Sequence, residues 1–300
     1  MKRSHFQKFA LGLLLYTILV IVWGAWVRIS HSGDGCGDTW PLCHGQLIPE
    51  AERGKTWVEY THRLMSGLYG LIVIYFYYVA HKLYPKGAFA KKAALFSLIF
   101  MITEAALGAK LVLFGLVASN DTPYRAFVMA LHQLNSFLLT GAVALTFVSA
   151  LSDDGKLAQT NKAWYVRFFP WIIILLGVTG AWASLSNSLF PADSLFQGLK
   201  DDLDSGSHFL VRLRIIHPIL ALTFGGSLSL FFWMKSQSAK SFQLQRRSFH
   251  MSLLLFVGIL FGIATLMLHA PTWMKIGHLT LAHSIWVTLL MWIYHYRREA

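Results

Sequence analysis

"EYTHRLMSGLYGL", residues 59–71, places a carboxylate and a histidine three positions apart at the head of an apolar run. The run continues to about residue 80, long enough for a helix to cross a hydrocarbon core of roughly 30 Å. Comparable runs lie near 9–27, 64–80, 93–117, 126–151, 168–190, 209–234, 251–269 and 276–296. Of 300 residues, 55% are hydrophobic and 13% charged, and the mean hydropathy is +0.51. An average soluble domain carries roughly 25% charged residues. The expectation is an all-α integral membrane protein with eight transmembrane helices and a lipid bilayer as its solvent.

The formal charge of +12 raises the question of nucleic acid, and the placement of the basic residues excludes it. They sit in the short loops between apolar runs, not on a patch with interleaved aromatics. Assigning alternate loops to alternate sides gathers Lys2, Arg3, Lys8, Lys82, Lys86, Lys91, Lys92, Lys156, Lys162, Arg167, Lys235, Lys240, Arg246, Arg247, Arg297 and Arg298 on one side. By the positive-inside rule that side, with both termini, is cytoplasmic. The first run follows a basic start but exceeds the roughly 7–15 residues of a signal-peptide core, so it is expected to remain in the mature chain.

The chain repeats. "GAWVRISHS" (24–32) closes the first run and "GAWASLSNS" (180–188) closes the fifth. After a long polar loop in each half comes a helix with an early histidine, "EYTHRLMSGL" (59–68) and "RLRIIHPILA" (212–221). A glycine-bearing helix follows, "EAALGAKLVL" (104–113) and "FGIATLMLHA" (261–270). Then comes another histidine helix, "LHQLNSFLLTG" (131–141) and "AHSIWVTLLMW" (282–292). The reading is two tandem pseudo-symmetric four-helix bundles, 1–151 and 152–300, joined by "SDDGKLAQTNK" (152–162). With an even number of spans each, they are parallel repeats.

His62, His132, His217 and His283 fall four to eight residues into helices two, four, six and eight, which places them at similar depth. An intramembrane histidine is costly without a partner and marks a site. Two neutral imidazoles facing across a bundle suit the axial positions of a haem iron. Zinc would ask for a third or fourth protein ligand, which neither half offers. One haem pocket per half is therefore inferred. His278 lies about 140° round the helix from His283 and is expected off that ligand face. Glu104 and Lys110 fall inside the third helix, and with His269 they receive no role.

The halves differ three residues before the first histidine, where Glu59 stands in one and Arg214 in the other. An arginine near a haem can pair with a propionate. A carboxylate there can relay protons or stabilise positive charge, or simply favour a helix N-terminus. Cys36 and Cys43, the two cysteines of the chain, share the first outer loop. They suit a disulfide that orders the loop or a redox-active pair.

Glu59, His62 and Arg63 directly after a cysteine-bearing loop, with single histidines in helices four, six and eight and two four-helix halves, resemble the haem A synthase family along essentially the whole chain. The resemblance implies a bacterial inner-membrane oxidoreductase that acts on a methyl group. Its reaction would be oxidation of the C8 methyl of haem O to a formyl group, giving haem A for terminal oxidases. It implies that His62 and His132 flank the substrate haem O, that Glu59 is catalytic, and that His217 and His283 bind the iron of a resident haem b. Arg63 and Arg214 become candidate propionate contacts. A haem O synthase, an electron-transfer partner and a second copy of the chain are the implied partners. Some family members carry a second cysteine pair, but the loop 190–208 has none. The competing readings are a bis-histidyl di-haem electron-transfer cytochrome and a non-enzymatic haem carrier.

Overall fold

The structure is a computed structural model that describes residues 1–50, 53–151 and 165–299. The linker 152–162, with Lys156 and Lys162, lies outside the described residues. The helices are α1 (Arg3–Ile29), α2 (Gly54–Leu83), α3 (Phe89–Leu113), α4 (Pro123–Ala150), α5 (Tyr165–Leu189), α6 (Leu195–Leu203), α7 (Phe209–Arg214), α8 (Ile216–Leu220), α9 (Gly226–Ser238), α10 (Phe242–Met267) and α11 (Thr272–Glu299). A π-helical stretch, Ala221–Gly225, joins α8 to α9, so that Phe209–Ser238 makes one span. Eight helices among the described residues are long and apolar enough to cross a membrane. The protein is an all-α, multi-pass membrane protein, as the apolar runs indicate. In lipid, a helix is the way such a run satisfies its own backbone groups.

Two compact units divide the chain, Met1–Gly155 and Lys156–Ala300. In the first, α1 packs on α2, α2 on α3, α3 on α4, and α4 returns to α1. In the second, α5 packs on α7 and α8, α9 on α10, α10 on α11, and α11 returns to α5. Each unit is thus a closed ring of four spans. Small side chains let these helices approach: Ala10, Ala90, Ala93, Ala94, Ala126, Ala142 and Ala144 are buried, while Leu15, Leu71, Ile74, Phe168 and Trp171 are exposed. This inversion of the soluble pattern suits helices whose outer surface meets lipid.

Each ring is closed at one end by aromatic rings. In the first unit Phe6 stacks on Phe76 at 5.1 Å and meets the edge of Tyr84 at 5.8 Å. In the second, Phe169, Phe231, Phe232 and Trp292 interlock at 4.9–5.6 Å. Along α1, Phe6 lies about 27 Å from Gly24, at 1.5 Å per residue. The aromatic plug and the GAW segment therefore occupy opposite ends of the unit, and the same order holds along α5.

The sixth span departs from the continuous helix its hydropathy suggests. Pro218 lacks an N–H and its ring crowds the carbonyl four residues back. The helical ladder accordingly breaks between Arg214 and Ile216 and resumes through the π stretch. Such wide turns are frequent at functional sites, and this one begins four residues after His217.

Candidate functional site

The two GAW glycines explain their own repetition. A Cβ at Gly24 would lie 2.9 Å from His62 Cε1, and one at Gly180 would lie 3.1 Å from His217 Cε1. Each glycine is the seat of a histidine from the next span. The second pair of histidines obeys the same rule. Gly108 of α3 faces His132 Cε1 at 3.9 Å, and Gly262 of α10 faces His278 Cε1 at 3.1 Å. The histidine seated on the glycine-bearing helix of the second unit is therefore His278, not His283.

Ring geometry agrees. The imidazoles of His217 and His278 stand 6.1 Å apart between centroids and cross at 78°. An imidazole nitrogen bonds a metal at about 2 Å, so two axial rings on one iron have centroids about 6 Å apart. Thr179 Oγ1 lies 3.4 Å from His217 Nδ1, and Phe261 stacks along His278 at 6.3 Å and 5°. His283 is 1% exposed, five residues further along α11 and about 140° round it. The structure brings His217 beside His278 and not beside His283, the partner expected from the sequence. The loops mislead a reading by position: 114–122 precedes α4, whereas only 268–271 precedes α11, so counting from the start of the apolar run lands on the wrong residue.

In the first unit His62 and His132 lie within electrostatic reach of one another. Nδ1 of each is buried without a hydrogen-bond partner. Trp23 Nε1 donates to Val58 O at 3.0 Å and Tyr16 OH to Met65 O at 2.9 Å, fixing α1 against the turn that carries His62. On α3 and α4, Glu104 Oε1 lies 3.6 Å from His132 Nδ1. Sequence reading noticed Glu104 without finding this partner, since nothing in its own helix indicates it.

Glu59, 3% exposed, stands one turn before His62, and its carboxylate faces the loop. Oε2 accepts from the Cys36 N–H at 2.9 Å, and Oε1 accepts from Arg63 Nε at 3.1 Å and from its NH2. Arg63 NH1 also donates to the carbonyls of Thr39, at 2.6 Å, and Leu42. Cys36 and Cys43 are joined in a disulfide, and both residues are fully buried. The loop docks so closely on α2 that a Cβ at Gly35 would lie 2.5 Å from Lys55 O, while Thr56 Oγ1 donates to Gly35 O at 2.7 Å.

Arg214 does the equivalent work in the second unit. Its Nε and NH2 bond Asp202 Oδ1 at 2.7 and 2.6 Å, and its NH1 donates to Asn187 Oδ1 and Phe190 O. NH2 also donates to Gly198 O at 3.2 Å. Arg63 and Arg214, the expected propionate contacts, are both engaged by protein acceptors of their own unit. A different cation pair borders the first unit. Arg28, at the end of α1, lies within electrostatic reach of Arg125, at the start of α4. Arg125 is 4% exposed and donates from NH1 to the Ala118 and Asn120 carbonyls, with Nε unpartnered. No group of three or more His, Cys, Asp or Glu able to hold a metal ion occurs among the described residues.

The family profile described as cytochrome oxidase assembly protein, COX15-CtaA, matches residues 7–290. A protoheme IX farnesyltransferase of Thermus thermophilus is 37% identical over 286 residues, 95% of this chain and 47% of that protein. A heme A synthase of Alkalihalophilus pseudofirmus is 31% identical over 217 residues, 68% of this chain and 69% of its own. A heme A synthase of Symbiobacterium thermophilum is 34% identical over 150 residues, 50% of this chain and 44% of its own. The chain spans about half the length of the Thermus relatives it matches.

Proposed function

Since the chain belongs to the COX15-CtaA family of cytochrome oxidase assembly proteins, matched from residue 7 to residue 290, we propose that it is a haem A synthase that oxidises the C8 methyl of haem O to a formyl group. The observation that carries this reading is the pair of imidazoles in each unit, seated on Gly24 and Gly108 in one and on Gly180 and Gly262 in the other. The named heme A synthases among its relatives supply the reaction. The Thermus relative is named for farnesyl transfer to protoheme IX, which produces the haem O required here and supports a place directly after that step.

The units divide the work. In 152–300, His217 and His278 hold a resident haem b, whose 6.1 Å ring spacing suits an iron between them. When bound, that haem supplies electron transfer. In 1–151, His62 and His132 hold haem O as substrate, with Arg28 and Arg125, close to one another at the ends of α1 and α4, as candidate cations for its propionates. Glu59 is the carboxylate that moves protons as the substrate carbon is oxidised, and Arg63 with the Cys36 amide keeps it in position. The methyl-to-formyl change is a four-electron oxidation that adds one oxygen atom net, its electrons leaving to an external electron-transfer partner, and the hydrated aldehyde loses water at the end. The Cys36–Cys43 loop shields this end of the unit, which by the placement of Lys and Arg lies on the outer face of a bacterial inner membrane.

Chromatographic identification of the haems extracted from protein expressed with and without haem O tests the reading. Haem b alone without haem O, joined by haem A or hydroxylated haem O when it is supplied, is the expected result. Haem b filling both units under both conditions would instead indicate an electron-transfer cytochrome.

A further inference from the structure

We propose that Glu104 is the positioning residue of the first unit, holding His132 by its Nδ1 edge and raising the electron donation of that imidazole to the iron of the bound substrate. The proposal rests on the reading that His132 is a ligand to haem O. Four polar side chains converge inside the span to build this contact. Asn135 Nδ2 donates to Glu104 Oε2 at 2.6 Å and to Phe100 O at 2.8 Å. Asn135 Oδ1 accepts from Thr103 Oγ1 at 2.6 Å, and Ser136 Oγ donates to Glu104 Oε1. A carboxylate inside a membrane span is expensive, and here its neighbours present donors to an acceptor-only group. They leave Oε1 facing His132 Nδ1 at 3.6 Å, and that nitrogen is buried with no hydrogen-bond partner.

A histidine that binds metal through one nitrogen carries its proton on the other, and that N–H is almost always given to a carboxylate, carbonyl or water. The gap of 3.6 Å lies just outside hydrogen-bond range and is closed by a rotation of the ring. The second unit lacks this device. Glu104 stands one turn before Gly108, the seat of His132; one turn before Gly262, the seat of His278, stands Gly258. A Cβ there would lie 2.9 Å from Ile285 Cδ1, so any side chain at this position would press on Ile285, and no carboxylate stands there. The two histidine pairs thus differ at this position as well, with a carboxylate beside His132 and a glycine at the corresponding place before the seat of His278, a difference suited to a unit that oxidises its haem and a unit that passes electrons.

The full-length protein carrying E104Q, which removes the charge and keeps the shape, is the test, with haem O as the probe. The expected result is retention of both haems, a more positive midpoint potential and altered ferric electron paramagnetic resonance signal for the haem of the first unit, and an unchanged haem b signal. Turnover should fall about 10–100-fold through kcat with KM kept. An unchanged potential and resonance signal in E104Q overturns the proposal whatever the activity does, and E104Q decides if E104A fails to fold. H132G separates this from the reading beneath it. If H132G leaves the first-unit haem spectrum intact, the ligand assignment fails and the proposal with it. If H132G loses that spectrum, added imidazole restores it, and E104Q is silent, only the role of Glu104 fails.

Discussion

His278 and His283 show how much one residue decides. Both are histidines on the same helix, yet only His278 meets His217 and rests on a glycine. H278A should therefore lose the haem of the second unit while H283A retains it, as read by haem content per protein; loss in H283A with retention in H278A would reverse the pairing. Glu59→Gln should keep both haems and lower haem A formation by about 10²–10⁴-fold, the usual contribution of a positioned proton-transfer group. Normal turnover would leave Glu59 as a loop anchor through Cys36 and Arg63. Glu59, His62, His132 and His217 were legible in the sequence because intramembrane histidines and acids stand out from their surroundings. The partner of Glu104 was not, because a contact between α3 and α4 has no period within either helix.

At the scale of helices and loops, the glycine seats and the arginine clamps organise each unit. A methyl group at Gly24 would displace the His62 ring, since its Cβ would stand 2.9 Å from Cε1. Gly24→Ala should therefore lose the first-unit haem and spare the second, as measured by spectra of protein loaded with haem O. Arg63→Ala removes one partner of a buried ion pair, its side chain 10% exposed and that of Glu59 4%. Breaking such a pair costs about 3 kcal/mol, and thermal unfolding in detergent should show a correspondingly lower midpoint; an unchanged midpoint would make the clamp energetically idle. The GAW echo was readable as a repeat from the letters alone. Its cause, close approach of a histidine from the following span, required the packed structure.

Among the described residues the chain forms two rings of four spans, and hydropathy was sufficient to find these eight. Composition carries that far because lipid imposes one requirement on every span, a satisfied backbone. It does not fix which end of a ring holds the site, and there the internal repeat was the better guide. The distribution of Lys and Arg predicts that a reporter fused in the 81–92 loop faces the cytoplasm and one fused at 45–50 faces the opposite compartment. The reverse pattern of labelling would invert the placement of both histidine pairs.

The π stretch at Ala221–Gly225 also bears on how this span tolerates changes in length. A wide turn holds one residue more than a regular helix needs to join the same two ends. Removing a residue from it would let a regular helix join the same two ends, so His217 should keep facing His278. A deletion elsewhere between His217 and α9 would instead turn everything before it by about 100° and carry His217 away from His278. The surplus residue works as a phase adjuster, letting the front half that carries His217 and the rear half packed in the bundle each keep its own facing.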